Sequence, residues 1–162
     1  MTDSSARVTV SVTPWDDPDG EQLRAEQRVE LDTMYGADVE PGAKPTAADV
    51  SVFVIARDAN HAVGCGALRQ LDETSAEIKR MFVRPSARGR GVSWAILDAL
   101  EGYARGQGWT TLRLETGPLQ HEAIGLYEKA GYTVIEPFGP YVDSQYSICY
   151  ERVLEPTVDS AR

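Results

Sequence analysis

The chain has 162 residues, 42% hydrophobic and 25% charged, enough for one domain with a real buried core. Its net charge of −9 lacks the basic face that phosphate backbones need, which argues against a nucleic-acid binder, and no apolar run reaches the ~20 residues of a membrane span. Cys65 and Cys149 stand in apolar, strand-like contexts, no Cys/His cluster has metal-ligand spacing, and MTDSSARVTV lacks a secretory apolar stretch; buried reduced thiols, no metal and a cytoplasmic location are expected.

Residues 7–13, RVTVSVT, alternate as a strand does, and WDDPDG reads as a loop. Helical spacing runs from Glu21 to Tyr35, with Leu23, Val29, Leu31 and Met34 as its apolar positions. The Pro/Gly/Ala-rich span 36–50 is expected as a surface loop of the length that often flanks a substrate. SVFVIARD and AVGCGALRQL form a hairpin about a turn at Asn60-His61, which makes His61 a solvated turn residue. SAEIKRMFV, 75–83, is a further strand. A helix then runs from about Gly91 to Arg105, with Val92, Ile96, Ala99, Leu100 and Tyr103 on one face, and Gly106 and Gly108 end it. TTLRLET is a strand, HEAIGLYEKAG a helix closed by Gly131, and YTVIEP and QYSICYERVL are the last strands. Residues 155–162 read as a frayed tail. Such an order predicts a single mixed α/β domain with helices on a sheet and a core over about 7–154.

RMFVRPSARGRGVSW, 80–94, carries the strongest chemical signal. A helix N-terminus exposes unpaired N–H groups and partial positive charge, and glycines let a diphosphate approach the backbone. Gly89 and Gly91 stand at such an end, with Arg88 and Arg90 adding charge, so the segment reads as a phosphate-binding loop. A glycine-rich turn with exposed arginines is the alternative. No GxxxxGK[ST] occurs. A GxGxxG fingerprint is broken by Trp94, and residues 84–87 are too long a connection for a tight first turn.

RGRGVS, 88–93, resembles the Q/R-x-x-G-x-G/A loop of the GNAT superfamily of acetyl-CoA-dependent N-acetyltransferases, with Ser93 at the final small position. AEIKRMFV, 76–83, resembles that superfamily's fourth strand. EAIGLYEKAGY, 122–132, resembles its later helix, usually written N-x-x-A-x-x-L-Y-x-x-x-G-F/Y, with Gln120 where Asn is common. The likeness spans nearly the whole chain, and its wording is similar to a bacterial subgroup of acetyltransferases. It implies a central mixed sheet of about seven strands flanked by about four helices. It also implies acetyl-CoA as co-substrate, no metal, an amine acceptor, and possible homodimerisation.

The resemblance further implies that Arg88, Gly89, Arg90, Gly91, Val92, Ser93 and Trp94 hold the pyrophosphate and that Gln120 contacts pantetheine. The Met81 N–H would polarise the thioester while Phe82 and Val83 pair with pantetheine as an added strand. Acyl transfer to an amine needs a proton acceptor, a donor to the carbonyl, and help for the leaving thiolate. Glu77 is the candidate base, sharing a strand face with Lys79 and Met81; an ion pair with Lys79 or Arg80 is the alternative. Tyr127 is the candidate acid, with Ala123 and Ala130 leaving room beside its ring; a core tyrosine is the alternative. Glu115 and the Phe138–Tyr141 loop are expected beside the acceptor, with Glu115 either binding an ammonium or pairing with Arg113. No G-x-S-x-G occurs, and nothing places a histidine beside Cys65, so hydrolase readings fail. Direct transfer from acetyl-CoA to a primary amine in a ternary complex is the expected activity; a non-catalytic acyl-CoA sensor is the alternative. The acceptor is a small amine or amino acid, an amine-bearing drug or a protein amine, with the acidic charge leaning to a small cation.

Overall fold

The computed structural model describes residues 8–37 and 40–155. Arg7 of the first predicted strand, Asp38 and Val39 of the predicted loop, and 156–162 of the predicted tail lie outside the described residues. The elements are β1 (Val8–Val12), α1 (Pro18–Tyr35), β2 (Val52–Asp58), β3 (His61–Gln70), β4 (Ser75–Val83), α2 (Val92–Gly106), β5 (Thr111–Thr116), α3 (His121–Lys129), β6 (Thr133–Ile135) and β7 (Ile148–Val153). Short 3-10 turns occur at Pro85–Ala87 and Gly139–Tyr141. The seven strands form one sheet in the order β1-β2-β3-β4-β5-β7-β6, with only β4 and β5 parallel.

Among the described residues there are three α-helices, not about four. The span before β2 holds Pro41, Gly42 and Pro45, which break helical hydrogen bonding, and its described residues form no helix. α1 also begins earlier than the apolar spacing indicates. Asp17 caps it, accepting from the N–H groups of Asp19 (3.0 Å) and Gly20 (3.4 Å), and Pro18 occupies the first turn, where no N–H is needed.

α2 and α3 cover one face of the sheet. Val92, Ile96, Leu97, Leu100 and Ala104 of α2 pack there on Val54, Leu68, Ile78, Leu112 and Leu114. α1 covers the other face, with Leu23 against Phe53, Ile55, Cys65, Ala67 and Phe82. Gly66 lets α2 press onto β3: a Cβ there would lie 2.8 Å from Ile96 Cγ2 and 3.1 Å from Leu100 Cδ1. The β2–β3 turn uses Ala59 (φ 51°) and Asn60 (φ 72°), both left-handed, which matches the twist of a two-residue hairpin. His61 is the exposed first residue of β3.

Two irregularities of β4 prepare the site. Cys65 faces Phe82 and Ala67 faces Lys79, so β4 carries one extra residue there, a β-bulge with Arg80 at φ 60°. The bulge ends the strict alternation that would put Met81 on the Glu77–Lys79 face. Met81 instead packs with Ile78 on the α2 side, and Phe82 points to the α1 side. The second irregularity is where pairing stops: β4 and β5 are paired from Ser75↔Thr111 to Ile78↔Leu114 only. Beyond that point the two strands diverge, and the sheet opens between Lys79–Val83 and Glu115–Thr116.

Candidate active site

The gap between β4 and β5 leads into two clefts that meet. The larger, about 420 Å³, is bounded by α1, the end of β4, the loop before α2, and α3; Met81, Phe82, Val83, Arg88, Gly89, Val92, Ser93, Gln120 and Tyr127 line it. The smaller, about 130 Å³, lies towards β5 and the loop before β7, lined among others by Arg28, Glu40, Lys79, Arg80, Glu115 and Thr116. Gln27, Leu31, Met81, Gln120, Ala123 and Tyr127 border both.

The large cleft ends at the N-terminus of α2. Gly91 is its N-cap in the left-handed region (φ 81°), and no side chain caps this end. Gly89 is likewise left-handed (φ 80°), and added Cβ atoms at Gly89 and Gly91 would meet nothing within 4 Å. The glycines therefore serve backbone conformation and leave space above open N–H groups, as an anion requires. Both neighbouring arginines are engaged with carboxylates. Arg88 donates from Nε to the Val83 carbonyl (2.8 Å) and from Nη2 to Glu30 (2.8 Å), while Arg90 pairs with Asp58 at 3.1 Å. Arg88 thus fastens the loop to β4 and α1. Arg90, Gly91 and Trp94 do not line the cleft, and Trp94 is exposed.

Tyr127 stands at the junction of the clefts. Its ring packs edge-on against Tyr132 at 5.7 Å, the phenol has no hydrogen-bond partner among the described residues, and burial holds its pKa well above the ordinary value. It is a neutral donor with nothing yet to donate to. Gln120 accepts at Oε1 from the Gly117 N–H (2.8 Å) and shapes the turn into α3. Gln27 donates to the Met81 carbonyl (3.0 Å) and so ties α1 to the bulge. Thr116 Oγ1, buried in the wall of the small cleft, has no partner either.

Glu77 is 2% exposed and lines neither cleft. Its carboxylate accepts from the Tyr141 hydroxyl (2.5 Å) and Arg69 Nη2 (3.2 Å), with Lys79 Nζ at 3.8 Å. Tyr141 accepts in turn from Lys79 (3.0 Å); burial and the Glu77 charge push its own pKa up, which keeps it a neutral donor. The Phe138–Tyr141 loop lines neither cleft; the Tyr141 hydroxyl, its ring held edge-on by Phe138, meets only Glu77 and Lys79 behind the wall of the small one.

Glu115 does line the small cleft. Arg113 pairs with Glu151 instead, leaving Glu115 with one hydrogen bond, from Ser147 Oγ at 2.8 Å. Burial raises its pKa, with the Ser147 bond and Lys79 acting the other way. Opposite, Glu40 accepts from Lys79 (3.1 Å) and Arg80 (2.9 Å), with Arg28 at 3.7 Å. The sequence reading missed Glu40, Arg28 and Gln27 as site residues. Their only signal was position, in the loop beside the substrate and on the polar face of α1. Both cysteines are buried and free, and burial pushes the Cys65 thiol up to about 12, which removes it as a nucleophile at neutral pH.

Residues 12–132 match the Acetyltransferase (GNAT) family, and the chain belongs to that family. It is an acyltransferase. It is similar to an IAA acetyltransferase of Azospirillum brasilense, 41% identical over 118 residues that cover 72% of this chain and 74% of that one. A solved structure from Klebsiella pneumoniae subsp. pneumoniae, assigned as an acyl-CoA N-acyltransferase, superposes with a TM-score of 0.80 at 32% identity, over 93% of this chain and 99% of that one. A GNAT family acetyltransferase from Elizabethkingia anophelis with acetyl-CoA bound shares the fold, with a TM-score of 0.69 at 18% identity over 91% and 99% of the two chains. No helix among the described residues is long and apolar enough to cross a membrane, and none of them form a His/Cys/Asp/Glu group suited to a metal.

Proposed function

We propose that the protein transfers the acetyl group of acetyl-CoA directly to a primary amine, in a ternary complex and without a metal. What carries the reading is the junction: an unpartnered phenol where an anion-ready cleft meets a polar one. In the large cleft the N–H groups of Val92 and Ser93 and the backbone of Gly89 and Gly91 receive the pyrophosphate, with Arg88 and Arg90 bracing the loop and Trp94 on its outer side. Phe82 and Val83 present backbone to pantetheine along the opened edge of β4, Gln120 borders it from α3, and the Met81 N–H faces the thioester carbonyl.

The amine nitrogen attacks that carbonyl, the C–N bond forms, and the C–S bond breaks with its electron pair on sulfur. Tyr127 donates a hydrogen bond to the leaving thiolate. A thiol pKa of ~8.5 lies below that of the buried phenol, so the phenol stabilises the thiolate more than it protonates it. The ammonium proton leaves towards the small cleft. Glu115 suits that role because it lines the cavity, and its raised pKa moves a base towards the working range. Glu77, committed to Tyr141 and Arg69, acts as a positioning residue for Lys79 and Tyr141. The test is thiol release from acetyl-CoA over a panel of amines. Amine-dependent release is expected; tight acetyl-CoA binding with no release for any amine would sink the reading.

A further inference from the structure

We propose that the acceptor carries a carboxylate beside the amine that is acetylated, so that the small cleft takes an amino-acid-like zwitterion. The inference rests on the acetyl-transfer reading above and narrows its acceptor.

The small cleft has two walls of opposite character. On the β4 side, Lys79 and Arg80 come together with Arg28 of α1 around the single carboxylate of Glu40, at 3.1, 2.9 and 3.7 Å. One carboxylate cannot neutralise three cations. Glu77 is shared between Arg69 and Lys79, and Asp32, which also lines the cleft, forms an ion pair with none of the three cations. On this side the cations therefore outnumber the carboxylate they pair with, and an anion entering between Arg28 and Arg80 meets both. The cost of desolvating Glu40 is more than offset by Lys79 and Arg80, which hold its carboxyl below the usual range. The backbone supports the same conclusion. Arg80 is a non-glycine residue held left-handed, and the bulge that strains it is what brings its guanidinium to Glu40.

The β5 wall is the reverse. Among the described residues Glu115 forms no ion pair, and its one side-chain hydrogen bond comes from the Ser147 hydroxyl. An ammonium gives it a close cationic partner. The walls separate where β4 and β5 stop pairing, immediately after Ile78 and Leu114, so cationic and anionic groups face each other across one opening. Its volume of about 130 Å³ leaves room for a small polar head group. A simple alkylamine leaves Arg28 and Arg80 with Glu40 alone, and a polyamine adds repulsion from the cations.

The experiment compares thiol release from acetyl-CoA for free amino acids, their amides and the corresponding decarboxylated amines. We expect kcat/KM at least tenfold higher for the free acids. Arg28→Gln and Arg80→Asn are then measured; asparagine tolerates the left-handed backbone at position 80. Each should raise KM for the acid about tenfold with kcat nearly kept, drive the acid-to-amide ratio towards one, and leave the Kd for acetyl-CoA unchanged. Turnover of amides or amines at rates equal to or above those of the acids overturns the zwitterion and leaves acetyl transfer standing. An acid-to-amide ratio untouched by both variants also overturns it. Absence of release with every compound brings down the transfer reading itself.

Discussion

The two clefts meeting at Tyr127 are built by different means. The large cleft draws its anion-binding end from one continuous segment, residues 81–93, and presents mainly backbone: an opened strand edge, two left-handed glycines and an uncapped helix end. The small cleft draws single side chains from α1, the following loop, β4, β5 and the loop before β7. A ligand held by backbone depends on conformation and tolerates side-chain change. A ligand held by side chains depends on long-range assembly and changes with one substitution. The first cleft therefore suits a constant co-substrate and the second a variable acceptor.

The comparison breaks most sharply at Gly91. Gly91→Glu forces a side chain to adopt φ 81° and sets a carboxylate over the N-terminus of α2. Charge-assisted hydrogen bonds contribute ~1.5–3 kcal/mol each, so losing two weakens acetyl-CoA binding by roughly 10³-fold. Calorimetric titration should show this beside a stability loss of about 1–2 kcal/mol from the left-handed backbone, with no steric clash added because no atom lies within 4 Å of the new Cβ. A side-chain change in the same loop should matter less: Arg88→Ala loosens the loop's tie to Val83 and Glu30 but leaves the N–H groups in place.

The small cleft has the opposite sensitivity. Glu77→Gln leaves Arg69 without its buried countercharge and disturbs the bond from Tyr141. Removing one partner of a buried ion pair costs about 3–5 kcal/mol, and urea denaturation should show a loss near the lower end because Arg69 also contacts Asp49. If Glu77 positions Lys79 and Tyr141, KM for the acceptor rises while the Kd for acetyl-CoA holds. If Glu77 were the base, the loss would fall on kcat.

This contrast also explains what could be read from the sequence. RGRGVSW was legible because its chemistry lies in its own backbone; glycine spacing and a helix start suffice. Tyr127 was legible through the residues around it in one helix. The face of Met81 was not, because one extra residue opposite Cys65 and Ala67 inverts the alternation, and nothing in IKRMFV marks a bulge. Nor was the Glu40 cluster, whose cations lie 12, 39 and 40 positions from Glu40 and meet it only once α1 packs on the sheet. Glu115 stood between two readings until Arg113 was seen to take Glu151.

At the junction, Tyr127→Phe sharpens the comparison by removing one atom that belongs to both clefts. The phenol has no partner to strand, so stability should be unchanged, and acetyl-CoA should bind as before. The loss should appear in kcat, about 10²-fold in the range of a general acid, and should shrink for acyl donors with more acidic thiols. An unchanged kcat at saturating substrates would remove Tyr127 from the leaving-group role.

The smallest effect is expected from the ionisation of Glu115. Burial raises its pKa in the folded protein, so the folded state holds this proton more tightly than the unfolded chain does. Stability from this group is therefore lost as pH rises through the window between the unfolded value of ~4.3 and the raised folded value, and regained on acidification. Glu115→Gln removes that dependence, so the variant should equal or exceed the parent in stability at neutral pH, with the difference narrowing as the pH falls. Activity runs the other way. A base must be ionised, so the acidic limb of kcat/KM should lie above the ordinary carboxylate range in the parent and disappear in Glu115→Gln, with a loss of rate smaller than that of Tyr127→Phe. An acidic limb that survives the substitution would assign the proton to bulk water, and the small cleft would then be a binding device only.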